Sequence, residues 1–243
     1  MRVNHIWSLK FAFIASTAMV AWPAFAADVT PERLANPEPQ NWLMNHRTYD
    51  AQRFSPLARI NKDNVKNLKI AYAVALSGTS TNENLQATPL AEDGFLYIVD
   101  LWGAVYKIDG RSGDMGRIVW RMDPGQEKVP LSNRGAALWG NLVISSANYP
   151  PRIIATNKDT GKVEWESNLD DKQADLQITA APLAVKDKII VGAAGGDRGV
   201  RDFIAGLDAK KTDGQRTTPI VLPSGRASRT AHRCPLRVRF DNG

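Results

Sequence analysis

From Gln86 onward, apolar positions alternate with polar ones in short runs broken by turn residues, with no sustained helical stripe. The runs recur. ATPLAEDGFLYI (87–98) and AAPLAVKDKIIV (180–191) match in spacing from Pro89 and Pro182, and ALWGNLVI (137–144) presents the same strand after a shorter lead. The spacing predicts strand starts near Asp93, Trp139 and Lys186, which are 46 and 47 residues apart. A second strand and turn follow each: VYKIDGRSG leading to Trp120, IIATNKDTG leading to Trp165, and FIAGLDAKKTDG with no Trp after it. Asp109, Asn157 and Asp208 mark that turn, 48 and 51 residues apart. A period of roughly 40–50 residues with about four short strands per unit predicts an all-β fold of propeller blades, each burying its faces against neighbours. A β-sandwich also punctuates its strands with turns. The repeated D-x-x-[ST]-G-like turn followed by Trp favours the propeller, with Trp120 and Trp165 packed between blades.

The chain before these units reads differently. Residues 1–26 have a positive start (Arg2, Lys10), an apolar run from Phe11 to Trp22 and an A-x-A box at Ala24–Ala26. That pattern predicts a cleaved secretory signal peptide, too short and wrongly flanked for a transmembrane anchor. Residues 27–85 form a polar, Pro-bearing lead-in followed by an aromatic-rich loop. Asn61 is placed as the N-cap of a short helix, with Ile60 and Val65 as its hydrophobic staple. The blades then occupy 86–209.

Charge changes the picture only at the end. The formal net charge is +6, and residues 210–243 carry all of it, so residues 1–209 are neutral overall. With export predicted as well, a nucleic-acid partner is not expected. The tail has no alternation and breaks the third repeat midway. Composition alone describes a disordered basic tail, and the position of the break favours a reading-frame slip. The single Cys234 excludes an intrachain disulfide, and no cysteine stands at the cleavage site for lipid attachment.

One stretch raises a question of chemistry. IIVGAAGGDRGVRD (189–202) ends a β-branched run in a series of small residues and then a carboxylate, as though something large and flat lay against the backbone. With W-x(6)-Y-x(3)-RFSPL (42–57), INKDNVKNL, NRGAALW and TAAPL, it forms an ordered series from about Asn41 to Ala209. This series resembles the pyrroloquinoline-quinone (PQQ)-dependent alcohol dehydrogenases, the methanol and ethanol dehydrogenase family of periplasmic quinoproteins. The resemblance implies about three blades of an eight-bladed propeller that holds PQQ above a calcium ion, or another metal in the same site. It implies that Arg134 pairs with quinone carboxylates, that Thr179 hydrogen-bonds the cofactor, that Ala194, Gly195 and Gly196 line the ring system, and that Asp197 is a metal ligand.

Departures accompany the match. Gln86 stands where the family usually has a cofactor-contacting glutamate, and Asp197 where it has a glutamate with one more methylene, roughly 1.5 Å of reach beside calcium–oxygen distances of about 2.3–2.6 Å. Lys128 and Val129 occupy the region of the family's adjacent cysteines, and Asp202 replaces a glycine. The catalytic aspartate, the asparagine metal ligand and the tryptophan under the quinone belong to later blades of the family, so no catalytic residue is assigned here. The expectation is the N-terminal part of a periplasmic quinoprotein that oxidises small alcohols to aldehydes and passes electrons to a cytochrome c-type acceptor, the isolated chain being inactive. The alternative is a non-enzymatic propeller of quinone-type repeats that binds proteins in the periplasm.

Overall fold

A computed structural model of the chain describes residues 27–76, 85–126, 132–169, 175–201 and 203–210. The leader, Lys128 and Val129, Asp202 and the tail from 211, with Cys234, lie outside the described residues. Eleven strands run in chain order among those described: β1 (Leu90–Glu92), β2 (Phe95–Val99), β3 (Val105–Asp109), β4 (Arg117–Met122), β5 (Ala137–Trp139), β6 (Leu142–Asn148), β7 (Pro151–Asn157), β8 (Val163–Asn168), β9 (Leu183–Val185), β10 (Lys188–Gly192) and β11 (Ile204–Asp208). They form three antiparallel meanders, β1–β4, β5–β8 and β9–β11, each strand paired with its sequence neighbour. Sequential up-and-down sheets repeated along one chain are propeller blades, and the all-β partial propeller stands.

The first turn of each blade shows why the repeat is so regular. Glu92 faces Phe95, Trp139 faces Leu142 and Val185 faces Lys188, leaving two-residue turns at Asp93-Gly94, Gly140-Asn141 and Lys186-Asp187. Asp93 and Gly94 both have positive φ (50° and 82°), the backbone that matches the twist of a tight hairpin. The expected strand starts therefore move: Asp93 and Lys186 open turns, and Trp139 closes β5. The preceding strands LAE, ALW and LAV have only three residues each, too few for alternation to reveal.

Blades join through a device that recurs with the repeat. A bulge shifts register between Lys107 and Ile108 and again between Ala155 and Thr156, just where β4 and β8 present Trp120 and Trp165. Trp120 donates its indole N–H to the Lys158 carbonyl of the second blade at 2.9 Å. Its ring lies against Gly161 (φ 72°), where a Cβ would sit 2.7 Å from the Trp120 Cγ. Trp139 likewise donates to the Lys186 carbonyl of the third blade at 2.8 Å. Trp165 is buried in the core, and its indole nitrogen has no acceptor among the described residues. One apolar core runs through all three sheets, with Tyr97, Val105, Leu138, Ile153, Ile189 and Val191 among its members.

The lead-in clamps the first two blades. Thr30 caps a one-turn helix, α1 (Pro31–Ala35), with proline at the first helical position, an element the sequence reading treated as polar lead-in. Val29 exchanges both backbone hydrogen bonds with Gly140, and Trp42 does so with Ala91. Fully buried Glu92 bonds Arg33 of α1 at 2.9 Å and fully buried Lys158 at 2.8 Å, so one carboxylate ties lead-in, first blade and second blade together. Removing either cation would leave Glu92 less compensated in the interior, which is why such pairs are costly to break.

The expected short helix is corrected. Only a 3₁₀ turn forms, Val65–Asn67, and its N-cap is Asn64. Asn61 does cap locally, its side-chain oxygen accepting from the N–H groups of Asp63 and Asn64. Ile60 and Val65 are exposed by 60% and 48%, so no staple is buried and nothing extends the turn into a helix. Farther on, Val74 and Leu76 pack against Ala104, Tyr106 and Ile108 in a small second cluster.

Candidate functional site

Gln86, Arg134 and Thr179 occupy one structural position in successive blades. Each lies three or four residues before the blade's first strand, ahead of Leu90, Ala137 and Leu183 respectively. The blade entrances are hydrogen-bonded in series: Thr88 donates its N–H to the Arg134 carbonyl at 3.3 Å, and Arg134 donates its N–H to the Thr179 carbonyl at 3.1 Å. The Arg134 guanidinium also donates to that carbonyl at 3.3 Å, and the Asn45 side-chain amide holds the Arg134 carbonyl at 3.1 Å. Residues far apart in sequence thus converge because the fold repeats.

Gln86 and Arg134 line one cleft of ≈ 520 Å³. Thr88, Asn45, His46 and Arg53 complete its polar wall, and Ala180, Ala181, Pro182 and Leu183 its apolar side. The lining carries two guanidiniums and an imidazole and no carboxylate, so the cleft favours an anionic ligand. Asn45, His46 and Arg53 were not singled out from the sequence. Their signal was the aromatic-rich loop that runs into RFSPL, of which Arg53 is the first residue, but the backbone that aims them is not written in residue type. Arg47, Ala51 and Arg53 all take left-handed φ, at 71°, 58° and 52°. Tyr49 pins this loop to the third blade by donating its hydroxyl to the Ala184 carbonyl at 2.8 Å, and burial pushes the phenol pKa up.

Thr179 meets the site through its carbonyl, and its half-buried side chain is not among the cleft's lining residues. The small-residue run follows the end of β10. Gln177 and Ala194 exchange two backbone hydrogen bonds, at 3.0 and 2.7 Å, which brings Ala194 two residues from Thr179 across the pair. Gly195 is buried at φ 127°, and a Cβ there would lie 2.7 Å from the Val200 side chain and 2.8 Å from the Asp175 carbonyl. Its missing side chain is therefore demanded by the fold itself. Gly196 and Asp197 are exposed at the start of a 3₁₀ turn, Gly196–Arg198, and neither lines the cleft.

The donor set fits an anionic, flat cofactor better than it fits a metal. Among the described residues, no group of three His, Cys, Asp or Glu side chains gathers to hold an ion. Asp197 offers two oxygens where calcium takes six to eight.

The three meanders define a partial β-propeller, and comparison with known proteins names the family. Residues 42–209 match the β-propeller domain of the PQQ-dependent glucose, ethanol and alcohol dehydrogenases, and the chain belongs to that family. It is 39% identical over 175 residues to quinohemoprotein alcohol dehydrogenase ADH IIB of Pseudomonas putida, which covers 69% of this chain and 24% of that protein. The solved quinohemoprotein alcohol dehydrogenase of Comamonas testosteroni superposes with a TM-score of 0.70 at 33% identity, over 77% of this chain and 28% of that one. A europium-containing methanol dehydrogenase superposes at 0.65 with 30% identity, over 76% and 32%. The chain thus spans about a quarter to a third of the relatives it matches. No helix among the described residues is long and apolar enough to cross a membrane.

Proposed function

We propose that this chain supplies the opening blades of a periplasmic, PQQ- and metal-dependent alcohol dehydrogenase that oxidises small alcohols to aldehydes. The observation that carries this reading is the cationic cleft between the blade entrances, where Gln86 and Arg134 face one space. When bound, PQQ supplies two-electron, hydride-accepting chemistry. In that pocket Arg134 would pair with a carboxylate, its backbone held in place by Thr179 and Asn45. Gln86 offers an amide hydrogen bond where the family's usual glutamate offers a charge. By the family resemblance Ala194, Gly195 and Gly196 would lie beside the ring system and Asp197 would contribute to a site for calcium or a lanthanide once further oxygen donors join it, although none of the four lines this cleft. A cytochrome c-type protein would be the onward electron acceptor.

Alcohol oxidation needs a base for the hydroxyl proton as well as a hydride acceptor, and no residue of the cleft is assigned that task. The 243-residue chain is therefore expected to bind PQQ weakly and to reduce no dye with methanol, ethanol or longer alcohols, with calcium or a lanthanide added. Steady dye reduction by this chain alone would overturn the inactive-fragment reading. Export is checked by terminal sequencing, with Ala27 expected as the mature first residue and Met1 as the result that removes the periplasmic assignment.

A further inference from the structure

Arg53 shares the cleft with Arg134. Most other arginines that bear on the blades are neutralised: Arg33, Arg111, Arg117, Arg121 and Arg152 each lie within 4.0 Å of a carboxylate. Arg53 and Arg134 have no such partner among the described residues. Arg53 Nη1 lies 3.1 Å from the ring Nδ1 of His46. A guanidinium only donates, so Nδ1 accepts and the imidazole keeps its proton on Nε2. The Arg53 fork retains donors for a ligand.

The loop that presents Arg53 is held against its backbone preference. Three non-glycine residues within seven positions are left-handed, which L-residues avoid. Local hydrogen bonds secure them: Arg47 N–H to the Met44 carbonyl, Ala51 N–H to the Thr48 carbonyl and Arg53 N–H to the His46 carbonyl. Tyr49 fastens the loop to the third blade, next to the apolar side of the cleft. Strain of this kind persists where surrounding structure over-determines it, and it concentrates at binding loops.

We propose that Arg53 is a second anion-binding residue of this cleft, taking a carboxylate in addition to the one Arg134 takes, so that the site selects planar polycarboxylates over neutral planar molecules. This rests on the quinone reading above and assigns a residue of the lead-in loop to cofactor selection. The paired donors of each guanidinium match the two oxygens of a carboxylate. The apolar stretch Ala180–Leu183 offers a surface on which a flat ring can rest.

The test uses the full chain with three probes in calorimetric titrations: benzene-1,3,5-tricarboxylate, uncharged 9,10-phenanthrenequinone, and PQQ. Arg53→Gln and Arg134→Gln are each expected to raise the Kd for the tricarboxylate about tenfold, as loss of a charge-assisted contact does. Binding of the neutral quinone should stay unchanged. Arg53→Asn serves as the second variant, because asparagine tolerates left-handed backbone and leaves the loop intact; it should match Arg53→Gln. The proposal is overturned if the tricarboxylate does not bind saturably, or if both Arg53 variants bind it and PQQ as the parent does. If in that case Arg134→Gln still weakens PQQ, the quinone reading survives alone. If Arg53→Gln weakens the tricarboxylate but PQQ does not bind, Arg53 keeps its role and the quinone reading falls.

Discussion

At the residue scale, single atoms decide how the blades meet. Gly161 has φ 72° and the Trp120 ring at contact distance, whereas Gly113 has φ 81° and open space around its missing Cβ. Alanine at either position meets the backbone penalty of the left-handed region, and only at 161 does it also strike an aromatic ring. Gly161→Ala should therefore destabilise by about 2–4 kcal/mol, the sum of strain and overpacking, and Gly113→Ala by about 1 kcal/mol. Urea midpoints of the two variants measure the difference. Equal losses would show that Trp120 yields to a methyl group and that the blade contact is looser than its geometry implies.

The elements are joined by charge as much as by packing. Helix α1 reaches the blades through Arg33, which donates to Glu38 at 2.8 Å and to Glu92 at 2.9 Å. The Arg33 hydrogen bond holds the Glu38 carboxyl down at about 2, from an ordinary value of 4.5. A folded-state pKa below the unfolded one stabilises above the unfolded value and loses that contribution as pH falls toward the folded one. The docking of α1 should thus weaken between about pH 4.5 and 2. Melting temperature followed across that window should fall less steeply in Glu38→Gln than in the parent chain. Because the Glu38 side chain is 39% exposed, solvent screens the pair and the difference should be modest. A parent and variant with superimposable profiles would remove Glu38 from the account of acid stability.

For the whole molecule, the repeat is both the architecture and the frame of the candidate site. Gln86, Arg134 and Thr179 come together because each sits at the entrance to its own blade, and hydrogen bonds run from one entrance to the next. Adding blades should extend the same arrangement. Joining the later blades of a homologous quinoprotein after Ala209 is expected to raise PQQ affinity and bring metal-dependent dye reduction. In that chimera Asp197→Glu should tighten metal binding several-fold by restoring reach, read as the metal concentration for half-maximal activity. Arg134→Ala should weaken PQQ binding about tenfold or more. Activity indifferent to both changes would dismiss the site assignment while leaving the fold untouched.

Periodicity is a local property, so the repeat of the blades and the turns ahead of Trp120 and Trp165 were legible in residue order alone, whereas the three-residue strands β1, β5 and β9 were not. Turn residues are equally local, yet the spacing places a strand start near Asp93, where the structure puts the two-residue turn Asp93-Gly94. Arg134 and Thr179 could be named as candidates from NRG and TAAPL, and Gln86 from the place where the family usually has a glutamate, because residue identity is fixed in sequence. What residue order does not contain is the aim of a loop or the company of a backbone atom. His46 and Arg53 enter the cleft only because Tyr49 anchors their loop to a strand 135 residues away and the local hydrogen bonds hold left-handed backbone. Gly195 reads as room for a ligand in sequence, yet Val200 and the Asp175 carbonyl already require its bare backbone. Ile60 and Val65 match a staple by spacing, but no surface covers them, and burial is what turns an apolar pair into a helix signal.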